Sequence, residues 1–215
     1  MSLDYFYDKI NNLPSNSIDI EILDGNNLES STELIIIPGF SQSSFDTNYK
    51  TLFIAHPYKL QVKKFKKIIL VKFPDGILYN LHKEIYGSKI VNNVDLLADL
   101  ENCLFKKCGD LLYDKLDNQT FYSVLAKSAG AGPAIFICNN HPDRFVKLNL
   151  FAPGVKYIHK SINKVCENFP KTTVGWNSTD TKVRLIDVWF TLNNVLPDKT
   201  ILYTYYYPDS LNSFD

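Results

Sequence analysis

The sequence is poor in several things that would each announce a class of protein. It has four cysteines, Cys103, Cys108, Cys138 and Cys166, with no CxxC pair, so neither a disulfide framework nor a zinc site is encoded. Reduced thiols in a cytoplasmic protein are the expectation. Neither sign of charge is in excess, because 23 Lys+Arg cancel 23 Asp+Glu. That balance argues against a chain built to grip nucleic acid. The longest apolar runs, such as 34–37 and 68–71, fall far short of the ~20 residues a membrane span requires. Residues 1–14 carry Asp4 and Asp8 and lack the apolar stretch of a signal peptide. Gly-rich phosphate loops of the GxGxxG and GxxxxGK[ST] types are missing as well, which removes the usual nucleotide-binding signatures.

What is present is a sequence able to fold without staples. At 215 residues and 45% hydrophobic, it suits a single domain over 1–215, with no internal repeat or boundary. Short apolar runs at 33–37, 67–73, 121–126, 146–152, 171–176 and 200–207 are rich in β-branched and aromatic residues, and most are bounded by Gly and Pro. They read as buried strands, and 17–22 alternates like a half-buried one. Between them, 94–116, 131–140, 157–169 and 182–195 place apolar residues at helical spacing. Strands alternating with helices predict an α/β three-layer sandwich, a mostly parallel sheet with helices on both faces. In such sheets the chemistry gathers at loops leaving the carboxyl ends of strands.

The most informative of those loops is Ala126-Lys127-Ser128-Ala129-Gly130. A hydroxyl between a strand and a small-residue helix sits on a tight turn, flanked by small residues because strand and helix approach closely. The plainer alternative is that Ser128 merely caps the helix. The segment continues through Gly132-Pro133, an apolar helix, His141-Pro142-Asp143-Arg144 and a strand ending Ala152-Pro153. In residue type and spacing this run resembles the α/β-hydrolase family, and the strand order makes the resemblance extend over most of the chain.

The resemblance implies a minimal α/β-hydrolase fold without a large lid, and a serine hydrolase acting on a small ester, thioester or amide. Ser128 takes the nucleophile's place. The backbone N–H groups of Phe40, after Ile37-Pro38-Gly39, and of Ala129 would form the oxyanion hole. Asp180, in the loop after 171–176, falls on the acid position, although an aspartate there also suits a helix N-cap. No cofactor and no metal follow from this chemistry. The expected partner is a small-molecule substrate or ligand, with neither nucleic acid nor membrane.

The base departs from the pattern. The family's histidine should follow the last strand, yet 208–215 contain none. His141 lies at the far end of the helix after Ser128, His159 falls among apolar neighbours, and His56 precedes Pro57. His82, expected in a loop after the strand ending at Phe73, is the candidate base, with Asp75 a fallback acid. A serine without a base is a poor nucleophile at neutral pH. Three readings follow: the sequence given stops just before the family's histidine, His82 or another group substitutes, or the chain is a catalytically inactive α/β-hydrolase-fold protein that binds a small molecule or a protein partner. The basic stretch 59–67 reads as a solvated helix end, and the tyrosines of 203–207 as an aromatic edge strand.

Overall fold

A computed structural model describes residues 2–40, 64–88, 92–177, 184–198 and 200–205. Seven strands form one sheet: β1 (Asp19–Asp24), β2 (Thr32–Ile37), β3 (Lys67–Lys72), β4 (Phe121–Lys127), β5 (Phe145–Phe151), β6 (Lys171–Asn177) and β7 (Ile201–Tyr205). Their spatial order is β1-β3-β2-β4-β5-β6-β7. All neighbours are parallel except β1, which runs antiparallel to β3 with Asp19 opposite Lys72. The patterns explain the placement. Leu34 to Ile37 of β2 are all buried, as a strand covered on both faces must be, whereas edge strand β1 mixes exposed and half-buried residues.

Five helices accompany the sheet among the described residues: α1 (Leu3–Asn11), α2 (Ile77–Gly87), α3 (Val94–Tyr113), α4 (Ala131–Asn140) and α5 (Leu185–Val195). Asn93 starts α3 by accepting hydrogen bonds from the amides of Asp95 and Leu96, each at 3.2 Å. Its buried Leu97, Leu100, Leu104, Cys108 and Leu112 form the stripe expected from the spacing. Helix α4 is buried along residues 131–138, because it is caught between the sheet and α3.

One large core joins all five helices to one set of strand residues, including Ile35, Ile37, Val124, Ala126, Leu148 and Val174. Alternate strand residues, Leu34, Ile36, Ile68, Leu70, Leu125 and Phe151, gather with Phe65 in a smaller cluster. This is the period-two segregation that a pleated strand imposes.

Three elements differ from the sequence expectation. Residues 157–169 are irregular, with a single 3-10 turn at Ile158–Lys160. The apolar spacing there is real, since Ile158, Ile162, Val165 and Phe169 are buried. The backbone, however, bonds elsewhere: Val165 N–H donates to the Val195 carbonyl at 3.0 Å and Cys166 N–H to Asn139 Oδ1 at 2.9 Å. Helices α1 and α2 are the other two, and the sequence reading assigned neither. Ser2 caps α1 by accepting from the Tyr5 amide, and Phe6 and Ile10 bury one face. Helix α2 buries Leu78, Leu81 and Ile85, and it carries His82, which sequence reasoning had placed in a loop. Asp75 falls in the 3-10 turn Pro74–Gly76 that precedes it.

Candidate active site

The chain leaves β2 for β3 on one side of the sheet and later enters β4 on the other side of β2. The carboxyl ends of β2 and β4 therefore meet where the strand order reverses, the place at which an open α/β sheet forms a crevice. Gly39 and Phe40 leave β2 there, and Ser128 leaves β4.

Ser128 adopts φ 51°, in the left-handed region, and Ala152 at the end of neighbouring β5 adopts φ 41°. For residues with a Cβ this conformation costs on the order of 1–2 kcal/mol, so surrounding contacts must hold it. Those contacts are visible. The Ser128 carbonyl accepts from the Gly154 amide at 2.8 Å and from the Ala131 amide at the start of α4. A Cβ on Gly130 would collide with the Pro38 carbonyl oxygen, so β2 and the turn touch backbone to backbone. A Cβ on Gly39 would stand 3.3 Å from Ser128 Cβ and 3.6 Å from its Oγ, which places the bend after β2 directly against the hydroxyl.

The capping alternative for Ser128 does not hold. Gly130 is the residue that begins α4, and no side chain caps that helix. Ser128 is half-buried, and its hydroxyl makes no hydrogen bond to another described residue. Phe40 N–H likewise donates to no described group. Among the described residues, neither the Ser128 hydroxyl nor the Phe40 amide has a hydrogen-bond partner. Gly154, whose amide locks the turn, escaped sequence reasoning. Its only sequence signal was the Pro153-Gly154 stop after β5.

The other predicted site residues are distributed as follows. Ala129 is half-buried beside Ser128, its amide nitrogen 3.3 Å from where a Gly154 Cβ would be. Asp180 and His56 lie outside the described residues. His82 faces α3: its Nε2 is 3.6 Å from Glu101 Oε1, and its ring lies against Tyr86, Phe40 and Phe105. His141 ends α4 with its ring stacked on Tyr113, centroids 3.5 Å apart. His159 Nδ1 is 3.3 Å from Thr191 Oγ1. None of these three imidazoles hydrogen-bonds to Ser128 Oγ. No group of three or more His, Cys, Asp or Glu residues suited to a metal ion occurs among the described residues, and no described helix is long and apolar enough to cross a membrane.

No family model matches the sequence. One curated relative, the D-alanine--D-alanine ligase of Buchnera aphidicola subsp. Schizaphis graminum (strain Sg), is 30% identical over 127 residues. The match takes in 54% of this chain and 39% of the ligase, so the chain spans well under half of that relative's length. Solved structures align far more extensively. A protein described as a predicted CIB-like hydrolase from Thermoplasma acidophilum superposes with TM-score 0.59 at 13% identity, over 91% of this chain and 85% of that one. Dienelactone hydrolase from Anabaena variabilis ATCC 29413 gives 0.55 at 12% identity, over 91% and 83%. Est1E from Butyrivibrio proteoclasticus, solved with ferulic acid bound, gives 0.51 at 11% identity, over 88% and 85%. With the strand order and the turn at Ser128 already in view, these likenesses show that the chain has the α/β-hydrolase fold.

Proposed function

We propose that the chain is a serine hydrolase-like protein in which Ser128 attacks the acyl carbon of a small ester, thioester or amide. The observation that carries this reading is Ser128 itself. A non-glycine residue in the left-handed region, its hydroxyl without a partner among the described residues and packed against Gly39, is held at the strand-order reversal of a hydrolase-like sheet. Strain of this kind persists where surrounding structure enforces it, and it clusters at working sites.

In the proposed reaction the Ser128 oxygen forms a bond to the acyl carbon and gives its proton to a base. The carbonyl oxygen becomes an oxyanion facing the Phe40 and Ala129 amides. The leaving group departs with a proton, and water then releases the acyl group and restores Ser128. Each oxyanion donor of this kind contributes about 10²–10³ in rate. Asp180 is the proposed acid that orients the base. The 39% coverage of the ligase supports no ligase reading, whereas the hydrolase likenesses cover most of the chain.

A second reading is favoured by one observation, that no described imidazole bonds to Ser128. In it the same crevice binds a small molecule without turning it over. Labelling with a fluorophosphonate, read by intact mass, separates the two. A hydrolase gains one phosphonyl group, and Ser128→Ala abolishes the gain. An unlabelled wild-type chain under forcing concentrations establishes the binding reading instead.

A further inference from the structure

The large core contains one charged side chain that the proposed chemistry does not use. Glu101, on α3, is 2% exposed. Its Oε1 accepts a hydrogen bond from the Tyr86 hydroxyl and lies 3.6 Å from His82 Nε2, while Oε2 has no partner. No lysine or arginine among the described residues reaches it. A carboxyl group buried with so few partners is costly, and the His82 ring is the other polar side chain packed beside it among the described residues. The cluster also controls its surroundings. Burial first, and then Glu101, drive the Tyr86 hydroxyl well above its ordinary pKa, so that hydroxyl stays a donor.

The imidazole touches more than Glu101. The Phe40 ring, 3% exposed, stands edge-on to His82 at 5.6 Å, to Phe73 at 5.2 Å and to Phe105 at 5.8 Å. Phe105 in turn packs where a Gly132 side chain would have to go, so this aromatic group reaches the helix behind Ser128. The residue that follows Gly39, the glycine packed against the Ser128 hydroxyl, thus has its ring against a histidine that lies beside a buried carboxyl group.

We propose that His82, held by Glu101, is a positioning residue for Phe40: the imidazole fixes the Phe40 ring, and the ring fixes where the Phe40 N–H points beside Ser128. The functional weight of the Phe40 amide rests on the oxyanion role proposed above, but the coupling between His82 and Phe40 does not.

Solution NMR of the full chain with isotope-labelled histidine and phenylalanine tests the coupling without any turnover. Phe40→Leu identifies its amide among the 14 phenylalanine resonances. His82→Ala, which removes the ring that Phe40 packs against, should move the Phe40 amide resonance in a protein whose remaining spectrum shows it folded. His82→Phe, which keeps an aromatic wedge, should restore most of the wild-type position. Glu101→Gln, which keeps the acceptor for Tyr86, should move the Phe40 amide less than His82→Ala does. A Phe40 amide that stays still in folded His82→Ala overturns the proposal, as does a displacement that His82→Phe leaves unrestored. If the coupling is present but Ser128 never accepts a phosphonate, the hydrolase reading fails and the positioning role stands.

Discussion

At the scale of single residues, the molecule concentrates its unusual chemistry in a few side chains. Ser128 and Ala152 are its non-glycine left-handed residues among those described, and both sit at the ends of adjacent strands. His141 is a different case, useful because its charge is penalised. Desolvation against Tyr113 lowers its pKa, and Arg144 lowers it further, while Asp110 and Asp114 pull the other way. The unfolded chain therefore binds a proton more readily than the folded one. The resulting stability is complete above about 6.5, the ordinary histidine value, and fades as pH falls through the lower folded value. Urea midpoints taken on either side of that window should drop more on acidification in the wild type than in His141→Phe, which keeps the stack but cannot titrate. Equal drops in both would show that His141 contributes nothing to acid sensitivity.

At the scale of elements, the His141-Pro142-Asp143-Arg144 segment acquires a physical meaning. In the sequence it was simply part of a familiar run. In the fold, the Arg144 guanidinium bonds to the carbonyls of Asp117, Asn118 and Thr120, including 2.6 Å to Asp117 and 3.1 Å to Thr120. It closes the turn that feeds β4, and β4 ends at Ser128. Arg144→Ala should cost about 1.5–3 kcal/mol in denaturant unfolding, the range for hydrogen bonds to charged groups. Arg144→Lys should recover little of it, because an ammonium cannot reach several carbonyls in one plane. Full recovery by lysine would mean that charge alone matters there. The same scale explains the failed helix at 157–169. Apolar spacing reports which side chains are buried, but Val165 and Cys166 give their amides to distant partners, which a helix would forbid.

At the scale of the whole molecule, the larger core unites all five described helices with the sheet. Leu148 is fully buried within it, on β5 between Val124 and Thr172 of the flanking strands. Leu148→Ala should lower unfolding free energy by about 2–5 kcal/mol, the span for leucine truncation in a close-packed interior. A cost under about 1 kcal/mol, by the same measurement, would show that this region collapses around the missing atoms. The surface of α5 behaves differently: Ile186 is 80% exposed and Phe190 78%. Their spacing supported a helix there, yet Phe190 points to solvent while Val188 and Leu192 face the core.

Much of this was legible in the sequence for reasons that act over a few residues. Strand positions follow from short apolar runs cut by Gly and Pro, and all six of those runs became strands within one or two residues, up to the limits of the described chain. The small residues Ala129, Gly130 and Gly132 announced a tight turn into a packed helix. Contacts between distant residues were not. That Gly39 presses on the Ser128 hydroxyl, that Gly154 ties down its carbonyl, and that His82 turns toward a buried Glu101 are decided by how strands and helices are laid side by side. Local rules set each residue's backbone preferences. Only the packed sheet brings the ends of β2, β4 and β5 together and forces a serine into a conformation it would not choose alone.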